Sequence, residues 1–167
     1  MTVAFLGLGG NLGDPVRAMA TALRALDAAP GTRVAEVSSV YRTPPWGPVE
    51  QPPFLNACAR VEAEIDAEAL LARCLGIELS LHRDRSVRWG PRTVDLDVLD
   101  FGGVVMRGDR LTLPHPRMAE RAFVMVPLAE IAPDLSVAGA TAAECLARLD
   151  TSGIVRLEAS PDWWCAG

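Results

Sequence analysis

Two aspartates stand one residue apart in GPRTVDLDVLDFG, Gly90 to Gly102, and a third, Asp100, follows them. The valines and leucines around them mark a strand buried on at least one face. In a strand, residues two apart project to the same side, with Cα atoms roughly 6–7 Å apart. Asp95 and Asp97 are therefore expected on one face and Val94, Leu96 and Val98 on the other. Asp100 is expected on the face opposite the carboxylate pair, at the strand end and outside any site. Neighbouring carboxylates repel unless a positive group lies between or beside them. Hard cations such as Mg²⁺ take such oxygen ligands and hold phosphates as well. Taken alone, D-x-D favours the plainer account, in which both acids face water on a half-exposed strand.

The neighbouring residues shift that balance. Arg83, Arg85, Arg88 and Arg92 surround Trp89 within ten residues, immediately before the strand. Guanidinium forks match phosphate oxygens, and an indole stacks on a base or on an arginine. Such charge runs are usually solvated loops. In a chain of net charge -5 and pI about 5.0, however, four arginines beside paired acids describe a place where phosphates and metal ions meet. A second basic segment, RLTLPHPRMAERAF, adds Arg110, His115, Arg117 and Arg121; a lone histidine such as His115 is more often structural than catalytic. A third cluster joins the proline-dense TPPWGPVEQPPF to Phe54 and Asn56. An aromatic ring beside a buried amide suits a flat heterocycle, although Phe54 fits a core equally well.

Several chemistries are excluded. All sixteen basic residues are arginine, which a biased genome composition would also produce, and the lack of lysine removes Schiff-base and Walker A mechanisms. GLGGNLGD fails the dinucleotide-binding fingerprint because Leu12 takes the place of the third glycine, leaving a tight turn or a close backbone approach to a ligand. DFG at Asp100–Gly102 lacks the HRD loop of a protein kinase, and the chain is too short for one. The acidic balance disfavours broad nucleic-acid or membrane-surface binding. Cys58, Cys74, Cys145 and Cys165 are scattered without a C-x-x-C pair, and are expected to be reduced and mostly buried.

The elements that must position these residues read as follows. The chain of 167 residues, half of them apolar, is the size of one domain spanning 1–167, with 160–167 as a flexible tail if its tryptophan pair does not pack. Val3–Leu8 is a buried strand. Asp14 caps a helix with Pro15 at its first position and Val16, Met19, Ala20, Leu23 and Leu26 on one face. Arg33–Arg42 is a strand, the proline segment forbids regular structure, and Ala57–Ile65 alternates as a half-buried strand. Asp66 caps a second helix whose apolar face is interrupted by Glu78. The carboxylate strand then turns at Gly102-Gly103, with Val104–Met106 as a hairpin return. Arg117–Ala132 suits a packed helix, with Pro127 starting or interrupting a turn, and Thr141 and Glu144 have capping-box spacing before a last short helix. The order βαββαβ indicates an α+β, ferredoxin-like core: an antiparallel sheet flanked by helices, extended by a hairpin and C-terminal helices. No run of 18 apolar residues and no signal-peptide pattern occur, so a soluble, cytoplasmic protein is expected.

Four segments in order, LGGNLGD, SSVYRTPPWGP with QPPFLNA, RWGPRTVDLDVLDFG, and LTLPHPRMAERAFVMVPLAEIAP, resemble the 6-hydroxymethyl-7,8-dihydropterin pyrophosphokinase family of folate biosynthesis. The resemblance reaches from near the start of the chain to about Pro133. It implies transfer of pyrophosphate from ATP to the pterin's hydroxymethyl oxygen, releasing AMP, with Asp95 and Asp97 ligating two Mg²⁺ ions. It implies that Arg83, Arg85, Arg92, Arg110 and Arg121 neutralise the triphosphate, Arg83 and Arg92 acting as catalytic groups. Thr112, His115, Val98 and Glu78 would line the nucleotide pocket, with Trp89 closing over it. The pterin would stack between Phe54 and Phe123 and bond to Asn56 and to backbone near Thr43, with Pro44, Pro45 and Trp46 as pocket walls. A monomer is expected, with a dimer as the alternative, and no nucleic-acid or membrane partner. The rival readings are a two-metal nucleotidyltransferase, which also uses D-x-D in an α+β palm, and a non-catalytic ferredoxin-like RNA-binding module. The second is opposed by the acidic balance and the lack of an RNP-type aromatic strand.

Overall fold

The apolar run near the N-terminus becomes β1 (Thr2–Gly10), which lies inside the sheet because its residues are wanted on both sides. The computed structural model describes residues 1–45, 47–81, 93–158 and 160–165. After β1 come α1 (Pro15–Ala28), β2 (Thr32–Val37), β3 (Val40–Thr43), β4 (Phe54–Ala63), α2 (Ala67–Ser80) and β5 (Asp95–Phe101). The chain continues through β6 (Met106–Arg107), β7 (Thr112–Leu113), α3 (Ala122–Ile131), β8 (Ser136–Val137), β9 (Ala140–Thr141), α4 (Ala142–Ala147) and β10 (Val155–Glu158). The main sheet runs β10-β3-β4-β1-β5, with β2 beside β3 on the same edge of β4, and every pairing is antiparallel. This is the expected βαββαβ core with additions.

Both faces of the sheet are covered. Leu6, Leu8, Ala57, Ala59, Val61, Leu96 and Val98 meet Met19, Leu23 and Leu26 of α1 and Leu70 and Cys74 of α2. On the other face Phe5, Cys58 and Leu99 meet Met125 and Leu128 of α3 and Cys145 of α4. Ala57–Ala63 is therefore not simply half-buried, because α3 also covers Cys58, which has no exposed surface. Truncating a fully enclosed residue such as Leu23 to alanine would cost about 2–5 kcal/mol. The caps form as their sequences dictate: the Asp14 carboxylate accepts from Arg17 N at 3.1 Å, and Asp66 from Ala69 N at 2.8 Å. Thr141 and Glu144 complete a reciprocal capping box. Cys58, Cys74 and Cys145 are free and buried, and Cys165 is free and exposed.

Five local features depart from the periodicity. The expected strand over 33–42 breaks at Ser38–Ser39, where the Ser38 hydroxyl accepts from Cys58 N at 2.9 Å. The side chain replaces a backbone partner and shifts the register by one, from Val37 opposite Ala59 to Tyr41 opposite Asn56. Val104–Met106 does not return along β5: Val104 closes a turn on Phe101, and Met106–Arg107 pairs with β7 instead. The turn needs Gly102 at φ 59°, where a Cβ would lie 2.6 Å from Thr2 Cγ2. Pro127 sits inside α3 rather than at a break, so the Phe123 carbonyl four residues earlier loses its helical donor.

The fourth departure concerns Asp100. Pairing runs Gly7 to Asp97 and Leu6 to Val98, then jumps to Phe5 opposite Asp100, so Leu99 is an extra residue. The bulge returns Asp100 to the same face as Asp95 and Asp97, not the opposite one. Asp100 nevertheless stays apart from them, because its carboxylate accepts from Gly103 N at 3.2 Å and burial raises its pKa. Fifth, the C-terminal segment is ordered onto the domain. β10 pairs with β3, Trp163 Nε1 donates to Ser38 O at 2.8 Å, and Arg24 donates to Trp164 O at 3.0 Å.

Glu130, on α3, accepts from the Tyr41 hydroxyl at 2.6 Å. Partial burial, then this bond and the charge of Glu130, push the phenol up to about 12. Tyr41 is the chain's single tyrosine, so tyrosinate absorbance reads it directly. The expected midpoint is near 12, with stability present below the ordinary value of 10 and lost as pH rises between the two. A midpoint at the ordinary value would count against the Glu130 contact.

Candidate active site

Across three neighbouring strands, Asp95, Gly9 and Asn56 form one row, and Asp97, Gly7 and Cys58 form the next. Directly opposed residues in an antiparallel pair project to the same face. The carboxylates and the Asn56 amide therefore share the α3 face, with about 10 Å between the Asp95 and Asn56 backbones from two strand spacings. Glycine between them leaves the floor clear: a Cβ at Gly9 would lie 2.6 Å from Asn56 Nδ2. The Thr43 hydroxyl donates to Asn56 Oδ1 at 2.6 Å, and Nδ2 donates to Leu8 O at 3.4 Å, an acceptor-only group that sets the orientation of the amide. Phe54 lies opposite Thr43 on β4, and Phe123, at the start of α3, packs against the core on that face. The Cys58 thiol, pushed up by burial, stays neutral and donates to Val124 O at 3.6 Å.

Arg121 joins the two aromatic and acidic groups. Its guanidinium lies 5.6 Å from the centroid of the Phe123 ring. Burial lowers its pKa, and the Asp97 charge acts in the opposite direction. The residue before α3 thus carries a cation that faces the carboxylate strand.

A cleft of about 420 Å³ opens off the outer edge of β5. Leu71 and Leu75 of α2 give it an apolar wall, and Arg110, Thr112 and His115 give it a polar one. Asp97 and Val98 border it too, so the carboxylate strand lies between the cleft and Asn56. The Leu99 bulge places His115: the bulged carbonyl accepts from His115 N at 2.9 Å. His115 Nδ1 accepts from Arg117 N at 3.3 Å, which leaves the proton on Nε2 as a donor. Burial, followed by the charges of Arg121 and Arg117, holds the imidazole below its ordinary pKa and therefore neutral.

Glu78 has a particular place. Only 3% exposed, it accepts from Leu96 N at 2.8 Å, between the two aspartates. Its carboxylate thus grips the β5 backbone, and the expected nucleotide-facing role narrows to the residue beside the cleft wall. Sequence reasoning missed Asn11, whose amide donates to Gln51 Oε1 at 3.0 Å and Pro52 O at 2.9 Å, tying the proline-rich loop to the end of β1. Its one signal was a buried-type amide inside GLGGNLGD, which also reads as a plain turn. Arg83, Arg85, Trp89, Arg92 and Trp46 lie outside the described residues.

Asp95 and Asp97 suit a hard cation. Among the described residues no group of three or more His, Cys, Asp or Glu gathers as a complete cage. Two carboxylates on a glycine-cleared face instead match Mg²⁺, which binds through one or two carboxylates and takes further oxygens from phosphate and water.

A sequence model of the family described as 7,8-dihydro-6-hydroxymethylpterin-pyrophosphokinase (HPPK) matches residues 5–133. The chain belongs to this family. The chain is 52% identical over 158 residues to the 2-amino-4-hydroxy-6-hydroxymethyldihydropteridine pyrophosphokinase of Methylorubrum extorquens, covering 95% of this chain and all of that one. It is 42% identical over 154 residues to the enzyme of the same name from Pseudomonas aeruginosa, covering 92% and 95% of the two chains. Among solved structures, the HPPK-DHPS triple mutant of Plasmodium falciparum in complex with STZ-DHP superimposes with a TM-score of 0.72 at 14% identity, over 88% of this chain. This chain spans 43% of that longer one, and the likeness speaks for the fold. No helix among the described residues is long and apolar enough to cross a membrane.

The neutral His115 can be checked by NMR, because the chain has two histidines. One imidazole is expected to titrate below 6.5 and to vanish from the spectrum of His115→Gln. As pH falls, the unfolded chain takes up this proton first, so the contribution of His115 to stability is lost through that range. A midpoint for His115 above 6.5 would overturn the assignment.

Proposed function

We propose that this chain transfers the pyrophosphoryl group of ATP to the hydroxymethyl oxygen of 6-hydroxymethyl-7,8-dihydropterin, releasing AMP, in a Mg²⁺-dependent reaction. The observation that carries the reading is the position of Asp95 and Asp97 between a cleft with apolar and cationic walls and the Asn56 side of the sheet. There Phe54 and Phe123, with the Asn56 amide, would form a slot for a flat ring. A strand that is the partition between nucleotide and heterocycle is where a phosphoryl group would have to cross.

The nucleotide base fits the Leu71 and Leu75 wall, and the phosphates fit Arg110, the Nε2–H of His115 and the Thr112 hydroxyl. A neutral imidazole donates without adding charge, so the cationic work falls to the arginines. Arg121 would lie over the transferred group, and Arg83, Arg85 and Arg92, with Trp89, would complete the phosphate side as the sequence reading expects. The flat pterin fits between Phe54 and Phe123, with Asn56 oriented by Thr43 to present Nδ2 and with Pro44, Pro45 and Trp46 as walls. Two Mg²⁺ ions held by Asp95 and Asp97 would supply Lewis-acid stabilisation of the attacking and leaving oxygens and acidify the hydroxyl. The chain's own residues then contribute position and charge rather than a strong base.

Incubation with ATP, Mg²⁺ and the hydroxymethyl dihydropterin should release AMP and form pyrophosphorylated pterin in equal amounts. Release of free pyrophosphate would favour the two-metal nucleotidyltransferase instead. Asp97→Ala should lower turnover on the order of a thousandfold while the protein stays folded, as loss of a charge centred on the transition state does. Turnover equal to that of the parent chain would refute the metal assignment. Arg92→Ala should chiefly lower kcat. A change confined to pterin affinity would mean that Arg92 does not serve the phosphates.

A further inference from the structure

The last strand lies beyond residues 5–133, which carry the family match, yet it packs on the pterin side of the proposed site. β3 is four residues long and ends on Thr43, the residue that orients Asn56. β10 covers its outer edge, with Val155 opposite Arg42 and Arg156 opposite Tyr41. The turn before β10 is built by Asp150, whose carboxylate accepts from Ser152 N at 2.9 Å, and by Ile154 N donating to Thr151 O at 3.1 Å. At its tip Gly153 has φ 81°, and a Cβ there would lie 3.0 Å from Pro44 Cγ. The turn therefore rests directly on the first proline of the pocket wall.

A chain of polar contacts extends from there to α3. Arg156 Nε donates to Ser39 Oγ at 2.9 Å, and that hydroxyl donates to Glu130 Oε2 at 3.1 Å. Glu130 also accepts from Ser39 N at 3.0 Å and from the Tyr41 hydroxyl at 2.6 Å. It lies seven residues after Phe123 on the same helix, about 10 Å along the axis. One clasp thus joins β10, β3 and the helix that carries an aromatic wall of the slot.

We propose that the turn Asp150–Ile154 and the Arg156–Ser39–Glu130–Tyr41 clasp are positioning elements that set Thr43 and Pro44 against Phe123. The proposal rests on the pterin reading of that slot. A purely structural role would not be selective for one substrate. The Arg156–Glu130 ion pair is 3.6 Å long with half of the arginine side chain exposed, so it adds little to global stability. Its leverage is local, on the position of β3 relative to α3.

The test compares Gly153→Val, which presses on Pro44, with Arg156→Ala, which opens the clasp, varying each substrate in turn and recording Tm. In both variants KM for the dihydropterin should rise about three- to tenfold, the worth of one or two hydrogen bonds. KM for ATP should stay within about twofold of the parent chain in both variants; Tm should change little in Arg156→Ala and fall in Gly153→Val, whose φ of 81° strains a valine. Unchanged pterin KM in both variants would overturn the proposal. So would a parallel rise in both KM values with a fall in Tm, which marks general loosening. Should Gly153→Val not fold, the half-exposed Arg156→Ala decides alone. A parent chain that forms no AMP with the pterin would overturn the functional reading itself, and the proposal with it.

Discussion

The pairing of glycine with aspartate between β1 and β5 is the constraint on which the rest of the molecule depends. Asp95 and Asp97 project from an edge strand over Gly9 and Gly7; a Cβ at Gly9 would collide with the Asn56 amide, whereas one at Gly7 would only touch Leu99. Because β1 is internal, it cannot shift to relieve a crowded floor, so the demand for glycine falls on Gly9. The helices on the opposite face, α1 and α2, hold that register through Leu6, Leu8, Leu96 and Val98. A one-residue slip would exchange core for site on both strands.

Electrostatics then divides the two sides of β5. The cleft side is cationic and keeps His115 neutral, as burial and two arginines require. On the α3 face the groups beside the carboxylates are neutral: the Phe123 ring, the buried Cys58 thiol and the Asn56 amide held by a hydroxyl. Arg121 stands between, tied to Asp97 by charge and to Phe123 by its face. On the proposed reading, a phosphorylated substrate and a neutral heterocycle would thereby be directed to different sides of the same pair of acids.

Much of this was legible in the sequence where a periodic signal and a chemical one coincided. TVDLDV gave both the strand and the division of its faces, and Asp14, Asp66 and Thr141 marked helix starts that formed as their side chains require. The proline segment was rightly refused regular structure. What could not be read were features set by partners far along the chain. Nothing within Arg33–Arg42 shows that a serine hydroxyl will take the Cys58 amide and break the strand. Nothing within LDVLDF shows that Leu99 will be skipped by β1, carrying Asp100 to the other face. Pro127 looked like a breaker because local rules make it one, but packing of α3 on Cys58 and Leu99 outweighs one lost helical bond. The strand Ala57–Ile65 read as half-buried for the same reason: the cover over Cys58 comes from a helix that begins more than sixty residues later.

The outer edge of β5 has a further meaning for the life of the protein. An exposed edge invites another chain to add a strand to it, which is how sheets grow into aggregates. Here Glu78 occupies the Leu96 amide and His115 occupies the Leu99 carbonyl, one on each side of Asp97. A foreign strand would find two of its hydrogen-bonding positions already taken, and a bulge would throw it out of step. The same two contacts that shape the cleft also shield the sheet from self-association on the side where its acids stand.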